Sequence, residues 1–307
     1  MNSIIIKLII ATFLVFPISV YSQTEFYPAK TIDIKLFGGK TSGSSFYDME
    51  GKIKTELPDE FMSDEQEERN FIFDYNEYIY GIKGEYALTD ELVLFSEIPI
   101  KYYTLHERTD TTFYDSSGNE YPEKIDRADF SLLQPAYFSI GGRYRLYSKL
   151  AYAAISGEIR IPPGFHDGIQ NDPDYQFLSD GALEFHSGLI LGVKFEKGWL
   201  ESSIAYHYRA EELVDNLFIH TEGGISTVPG SKLMAYIDFT QSFGTFNNAV
   251  QFNPRYTTLQ EDIFDIGFLF QLFVTDNIYG DFSYKINLLG KNTWNLAGFI
   301  IAVGVRI

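Results

Sequence analysis

Hydrophobic and polar residues alternate with period two along most of this chain. From Leu183 onward Leu183, Phe185, Leu189, Leu191, Val193 and Phe195 are apolar, while Glu184, His186, Gly188, Gly192 and Lys194 take the intervening positions. Such alternation places successive side chains on opposite faces of an extended strand. It returns in Leu92, Leu94, Ile98, Ile100 and Tyr102 against Glu97 and Lys101, and in Phe138, Ile140, Tyr144 and Leu146 against Arg143 and Arg145. Leu200, Ile204, Tyr206 and Tyr208 oppose Glu201, His207 and Arg209, while Ile155, Ile159 and Ile161 oppose Tyr152, Glu158 and Arg160. Phe299, Ile301, Val303, Val305 and Ile307 close the chain in the same way.

The spacing predicts twelve strands: Thr31–Lys40, Phe71–Ala87, Leu92–His106, Ser131–Leu146, Leu150–Ile161, Ala182–Phe195, Trp199–Glu211, Leu217–Thr227, Lys232–Phe243, Ile263–Val274, Ile278–Leu288 and Asn295–Arg306. A further pair within Gly244 to Asp262 would make fourteen. A soluble sandwich also alternates, but its strands usually run about 5–6 residues and its loops are of similar length at both ends. Here several predicted strands are far longer, and connections alternate between tight turns such as Glu196-Lys197-Gly198 and long segments: Thr41 to Asn70, Glu107 to Asp129 and Pro162 to Gly181. That asymmetry is expected of an all-β, transmembrane, antiparallel up-and-down barrel with short periplasmic turns and long external loops.

The N-terminus sets the compartment. Lys7 precedes an apolar run from Leu8 to Val20 that ends in Val20-Tyr21-Ser22, the pattern of a secretory signal peptide cleaved before Gln23. The run is shorter than the roughly 20 apolar residues of a spanning helix. Residues 1–22 are therefore read as the signal and 23–307 as one barrel domain, with the residues from Gln23 to Lys30 too few for a plug.

Composition agrees with strands in a bilayer. Aromatic residues make up 17% of the chain, with 22 Tyr and 27 Phe, more than a soluble core ordinarily uses. There is no cysteine, which excludes disulfides and thiolate chemistry. The formal net charge of -18 argues against nucleic acid as a partner. Much of that charge lies between Asp48 and Arg69, read as a solvated external loop.

If the apolar face meets lipid, the other face lines the interior. The residues expected to line a solute path are Glu97, Lys101, Arg143, Arg145, Glu158, Arg160, Glu184, His186, Glu201, His207 and Arg209, with Tyr103, Tyr152 and Trp199 as aromatic surface. The competing role for each charge is structural pairing inside a narrow barrel. An enzyme reading finds little support. His186 and Ser187 are adjacent and so point to opposite sides of the wall, whereas a hydroxyl–imidazole dyad on one strand needs spacing two. His166-Asp167 and the acidic run from Asn171 to Asp180 are short loop signals for a protease-type site and for calcium, and the run lacks the glycine and terminal Glu of an EF-hand.

Several segments together resemble a known family. Gly84-Glu85-Tyr86-Ala87-Leu88-Thr89-Asp90-Glu91-Leu92 leads into Glu97-Ile98-Pro99-Ile100, followed by Gly142-Arg143-Tyr144-Arg145-Leu146 and Gly157-Glu158-Ile159-Arg160-Ile161-Pro162-Pro163-Gly164. Leu178-Ser179-Asp180-Gly181-Ala182 and Leu289-Gly290-Lys291-Asn292-Thr293 complete the order. From about Ile72 to the C-terminus this resembles the outer-membrane transporters of the meta-pathway of phenol degradation, and distantly the long-chain fatty-acid and aromatic-hydrocarbon channels. The chain has no counterpart of the fatty-acid channels' N-terminal hatch, and it ends in Ile307 where many such barrels end in Phe.

The resemblance implies a passive channel for a small, aromatic or hydrophobic solute, without cofactor or chemical step. Its partners would be outer-membrane lipid, the solute and the barrel-assembly machinery. An outer-membrane hydrolase, or an adhesion or scaffold barrel acting through the acidic segments Asp48 to Arg69 and Thr109 to Asp129, stands as the alternative. Oligomeric state is left open.

Overall fold

The computed structural model describes residues 26–48, 50–58, 67–114, 124–163, 183–210, 215–227, 230–243 and 262–307. The signal segment, His166-Asp167 and the run from Asn171 to Asp180 lie outside them.

Twelve antiparallel strands form the wall: β1 Ile32–Tyr47, β2 Glu67–Ala87, β3 Leu92–Phe113, β4 Lys124–Pro135 continued by Phe138–Ser148, β5 Ala151–Ile161, β6 Glu184–Lys194, β7 Gly198–Arg209, β8 Asp215–Ser226, β9 Ser231–Phe243, β10 Asp262–Phe273, β11 Ile278–Lys291 and β12 Thr293–Arg306. Each pairs with its sequence neighbours, and β1 pairs with both β2 and β12, so the barrel closes and leaves no edge through its span. β9 pairs directly with β10, from Ser231 opposite Leu272 to Gln241 opposite Asp262. The wall of the described residues therefore closes with β9 directly beside β10, and its count is twelve.

Burial is inverted relative to a soluble protein. Leu36, Ile140, Leu191, Ile301 and Val303 are exposed on the outer face, whereas Asp33, Glu97, Glu222, Asp265 and Asp281 are sealed inside. Leaving a large apolar side chain in water forgoes roughly 1.5–3 kcal/mol, so an outer face this apolar belongs in lipid. Outward aromatics bound the band. Tyr86, Tyr144, Tyr147 and Phe195 lie toward the tight-turn end, and Phe185, Tyr206, Tyr208 and Phe243 toward the long-loop end. Phe185 to Phe195 covers ten steps of about 3.3 Å each, which at the usual tilt gives roughly the 25 Å height of an outer-membrane band.

The strands outrun the sequence expectation at the external end. β1 continues past Lys40 to Tyr47, β2 starts at Glu67, β3 reaches Phe113 and β4 begins at Lys124. Segments read as loop, including part of the acidic stretch, are thus ladder, with Glu67 opposite Phe113 and Thr111 opposite Lys124. At this end the exposed residues of β3, such as His106 and Arg108, are polar, and so are Glu107 and Thr111 on its buried face, so the apolar half of the alternation fades while the pairing persists. Bulges also reset the side-chain phase. One lies between Ser42 and Ser45 on β1, and another is Ala136-Tyr137 on β4, where the Ala136 N–H donates to the Pro99 carbonyl at 2.8 Å.

Candidate functional site

The inner wall is organised from the residue upward by two recurring contacts. The first pairs an aromatic ring with a glycine directly opposite it on the next strand. Phe37 lies against Gly81, Phe95 against Gly141, Tyr152 against Gly192, Trp199 against Gly224, Tyr236 against Gly267 and Tyr279 against Gly304. A Cβ built on Gly192 or Gly304 would stand 2.1 Å from the facing tyrosine Cζ, so only glycine admits the ring there. Each of the six hairpins joined at the external end carries one such pair. No repeat is visible in the sequence because the residue types and spacings vary; the signal would have been an inward aromatic on each odd strand followed by an inward glycine on the next.

The second contact joins one hairpin to its neighbour. Lys101 Nζ lies 3.0 Å from Glu77 across β2 and β3, Arg209 Nε 3.8 Å from Glu184 across β6 and β7, and His220 Nδ1 2.5 Å from Asp238 across β8 and β9. Lys285 Nζ meets Asp265 at 2.8 Å across β10 and β11, and Arg306 Nε meets Asp33 at 3.0 Å across β12 and β1. Between β4 and β5 the link is the Arg160 guanidinium, 4.7 Å over the Tyr137 ring. Charges buried in a barrel persist when paired, and these pairs stitch the seams that the aromatic–glycine contacts leave unlocked.

All the residues singled out in the sequence project to this inner wall. Glu97, Tyr103, Arg143, Tyr152, Arg160, His186, Trp199, Glu201, His207 and Arg209 are buried, and Lys101, Arg145, Glu158 and Glu184 are partly so. Five of them form one cluster. Arg160 Nε donates to Glu158 at 2.9 Å, His186 Nε2 lies 2.7 Å from Glu184, and the rings of His186 and His207 stack with centroids 3.6 Å apart. Elsewhere Arg143 meets Glu85 at 2.6 Å, Tyr137 donates to Glu97 at 3.2 Å, Tyr152 donates to Glu201 and the Trp199 indole donates to Glu222 at 2.8 Å. Arg145 stands apart at the periplasmic end, donating to the Asp90 carbonyl. Ser187 is exposed on the outer face while His186 is buried on the inner one, so the pair forms no dyad.

Above the charged tier lies an aromatic wall. Phe46, Phe73, Tyr75, Tyr103 and Trp294 form a continuous set, with Tyr75 and Trp294 stacked at 5.2 Å and Trp294 edge-on to Phe46 and Phe73 at 6.4 Å each. Only Tyr103 was expected. Phe73 and Tyr75 share the inward phase of Glu77 and Glu85, so continuing the alternation upward finds them; Phe46 follows the β1 bulge and cannot be phased without it.

Residues ahead of β1 were read as too few for a plug; at the periplasmic mouth Phe26 to Lys30 form a strap against the wall. Phe26 packs against Tyr152, Ala154 and Ile190 on β5 and β6, Arg145 sits 4.9 Å over its ring, and Arg306 sits 4.4 Å over Tyr27. The Ala29 N–H is held by Asp90 at 2.8 Å.

With this geometry in view, the likeness to solved proteins is specific in fold. The COG4313 outer membrane channel from Pseudomonas putida F1 superposes over 94% of this chain and 100% of its own, with a TM-score of 0.60 at 13% identity. The fold is that of an outer-membrane β-barrel. A Pseudomonas aeruginosa FadL homologue matches 96% of this chain and 99% of its own at TM-score 0.42 and 9% identity. The TodX deltaS2S3 mutant monoaromatic hydrocarbon channel matches 96% and 95% at TM-score 0.46 and 8% identity. No protein-family model matches the sequence, and no curated protein does. The closed barrel and its apolar outer belt agree with residence in a bacterial outer membrane.

Proposed function

We propose that this chain is a passive outer-membrane channel for a small solute of aromatic character and that it performs no chemical step. The observation that carries the reading is the inward aromatic wall of Phe46, Phe73, Tyr75, Tyr103 and Trp294 above a ring of paired charges. Aromatic faces offer flat rings weak, sequential stacking sites, which suits entry followed by release. Below them the solute meets Lys101, Glu77, Glu97, Arg143, Arg160 and Glu184, whose pairing narrows the path and sets its polarity. That a protein of the same fold is an outer membrane channel supports the reading.

The test is conductance of the purified, refolded barrel in planar bilayers. Discrete current steps are expected, and Lys101→Glu or Arg143→Gln should move the reversal potential toward cation selectivity. Absence of steps under every salt condition would reject conduction. Exchanging Trp294 and Tyr75 for Ala should then slow uptake of phenol or toluene into liposomes several-fold while leaving small-ion current in place.

A further inference from the structure

Resting on the channel reading, we propose a binding site at the periplasmic mouth for an aromatic carboxylate, a ligand carrying both a flat ring and one negative charge. A cavity of about 630 Å³ opens there between the strap and the turns, bounded by Phe26, Trp199, Lys194, Lys232 and Arg306. Trp199 is held in place by its indole bond to Glu222 and by Gly224 beneath its ring, so it is a rigid wall. Phe26 supplies the second apolar wall.

The cations in this tier sit against rings. Lys194 Nζ is 5.3 Å over the Tyr152 ring, and Lys232 Nζ is 5.9 Å over Trp199 and 5.8 Å over Phe273. Among the described residues no carboxylate pairs with Lys194. The inner carboxylates nearby are engaged: Glu201 by Tyr152, Glu222 by Trp199, and Asp33 by Tyr279 and Arg306. Glu196 and Asp276 also line the cavity, at its exposed rim, where the four cations Lys194, Lys197, Lys232 and Arg306 outnumber them. An ammonium over a ring is held less tightly than one in a charge-assisted hydrogen bond. A ligand carboxylate therefore gains Lys194 without breaking an ion pair, while its ring lies between Trp199 and Phe26. A neutral aromatic would gain the ring contact alone, and a small aliphatic acid the charge alone.

The protein has two tryptophans, Trp199 and Trp294, so Trp294→Phe leaves a single reporter in the cavity. Titrating that refolded barrel with benzoate should give a saturable change in fluorescence, with benzyl alcohol and acetate each weaker by about tenfold or more. Lys194→Gln with Lys232→Gln should abolish the preference for benzoate over benzyl alcohol, and Lys194→Arg should retain it; heat-dependent gel mobility verifies that each variant is folded. Equal affinity for benzoate and benzyl alcohol, equal affinity for benzoate and acetate, or a response that never saturates would overturn the site. Benzoate binding without current in bilayers would reject conduction and leave the site standing, whereas current without benzoate preference would do the reverse.

Discussion

At the scale of single residues the inner wall depends on contacts that tolerate no added atom and on charges that tolerate no lost partner. Gly192→Ala must displace the Tyr152 ring and is expected to cost about 1–3 kcal/mol, read as a lower temperature for loss of the fast-migrating folded form on gels. Gly157→Ala is the control, because the nearest atom to its new Cβ is 4.0 Å away; an equal loss at both positions would refute the ring-on-glycine account. Lys285→Met leaves Asp265, fully buried, without its ammonium, and removal of one member of a buried pair costs roughly 3–5 kcal/mol. Adding Asp265→Leu should recover most of that loss in the same melting assay. Which side chains point inward was readable from period two alone, as Glu97, Arg160 and Glu201 show. Who meets whom was not, since Tyr152 with Gly192 or Arg209 with Glu184 requires the register between strands, which a one-residue slip would reverse.

Strands and their connections tell where the pattern stops being informative. Alternation identifies a strand only where its two faces carry different residue types, and along the upper part of β3 the exposed His106 and Arg108 are polar, as are Glu107 and Thr111 on the buried face. The ladder there should nevertheless hold its amides. Hydrogen exchange in lipid nanodiscs is expected to show Glu107 to Phe113 protected comparably to Leu92 to Leu105, and rapid exchange there would restore the reading of a loop beginning near Glu107. The Ala136-Tyr137 bulge was likewise illegible, because a single extra residue looks like a local irregularity in a periodic string. Its effect is large: it sends Tyr137 inward, where Arg160 covers its ring and Glu97 accepts its hydroxyl proton. The strap was missed for a simpler reason. Five residues cannot fill a barrel, but Phe26 does not have to fill it, only to pack against the wall at one end.

For the whole molecule, the division between contacts within external hairpins and contacts between them has a consequence for size. Each external hairpin brings its own ring and its own glycine, so that contact lies wholly inside the hairpin, while its two seams carry ion pairs and further ring contacts to its neighbours. The chain can therefore be shortened in units of one external hairpin, and β5 with β6 could be excised as a block without orphaning any ring from its glycine. Cutting the same number of strands half a unit out of phase, β6 with β7, would leave Tyr152 without the notch it rests in and Gly224 facing an empty space. A ten-stranded derivative made by the first cut needs a new seam and a new seat for Phe26; one made by the second needs a new interior.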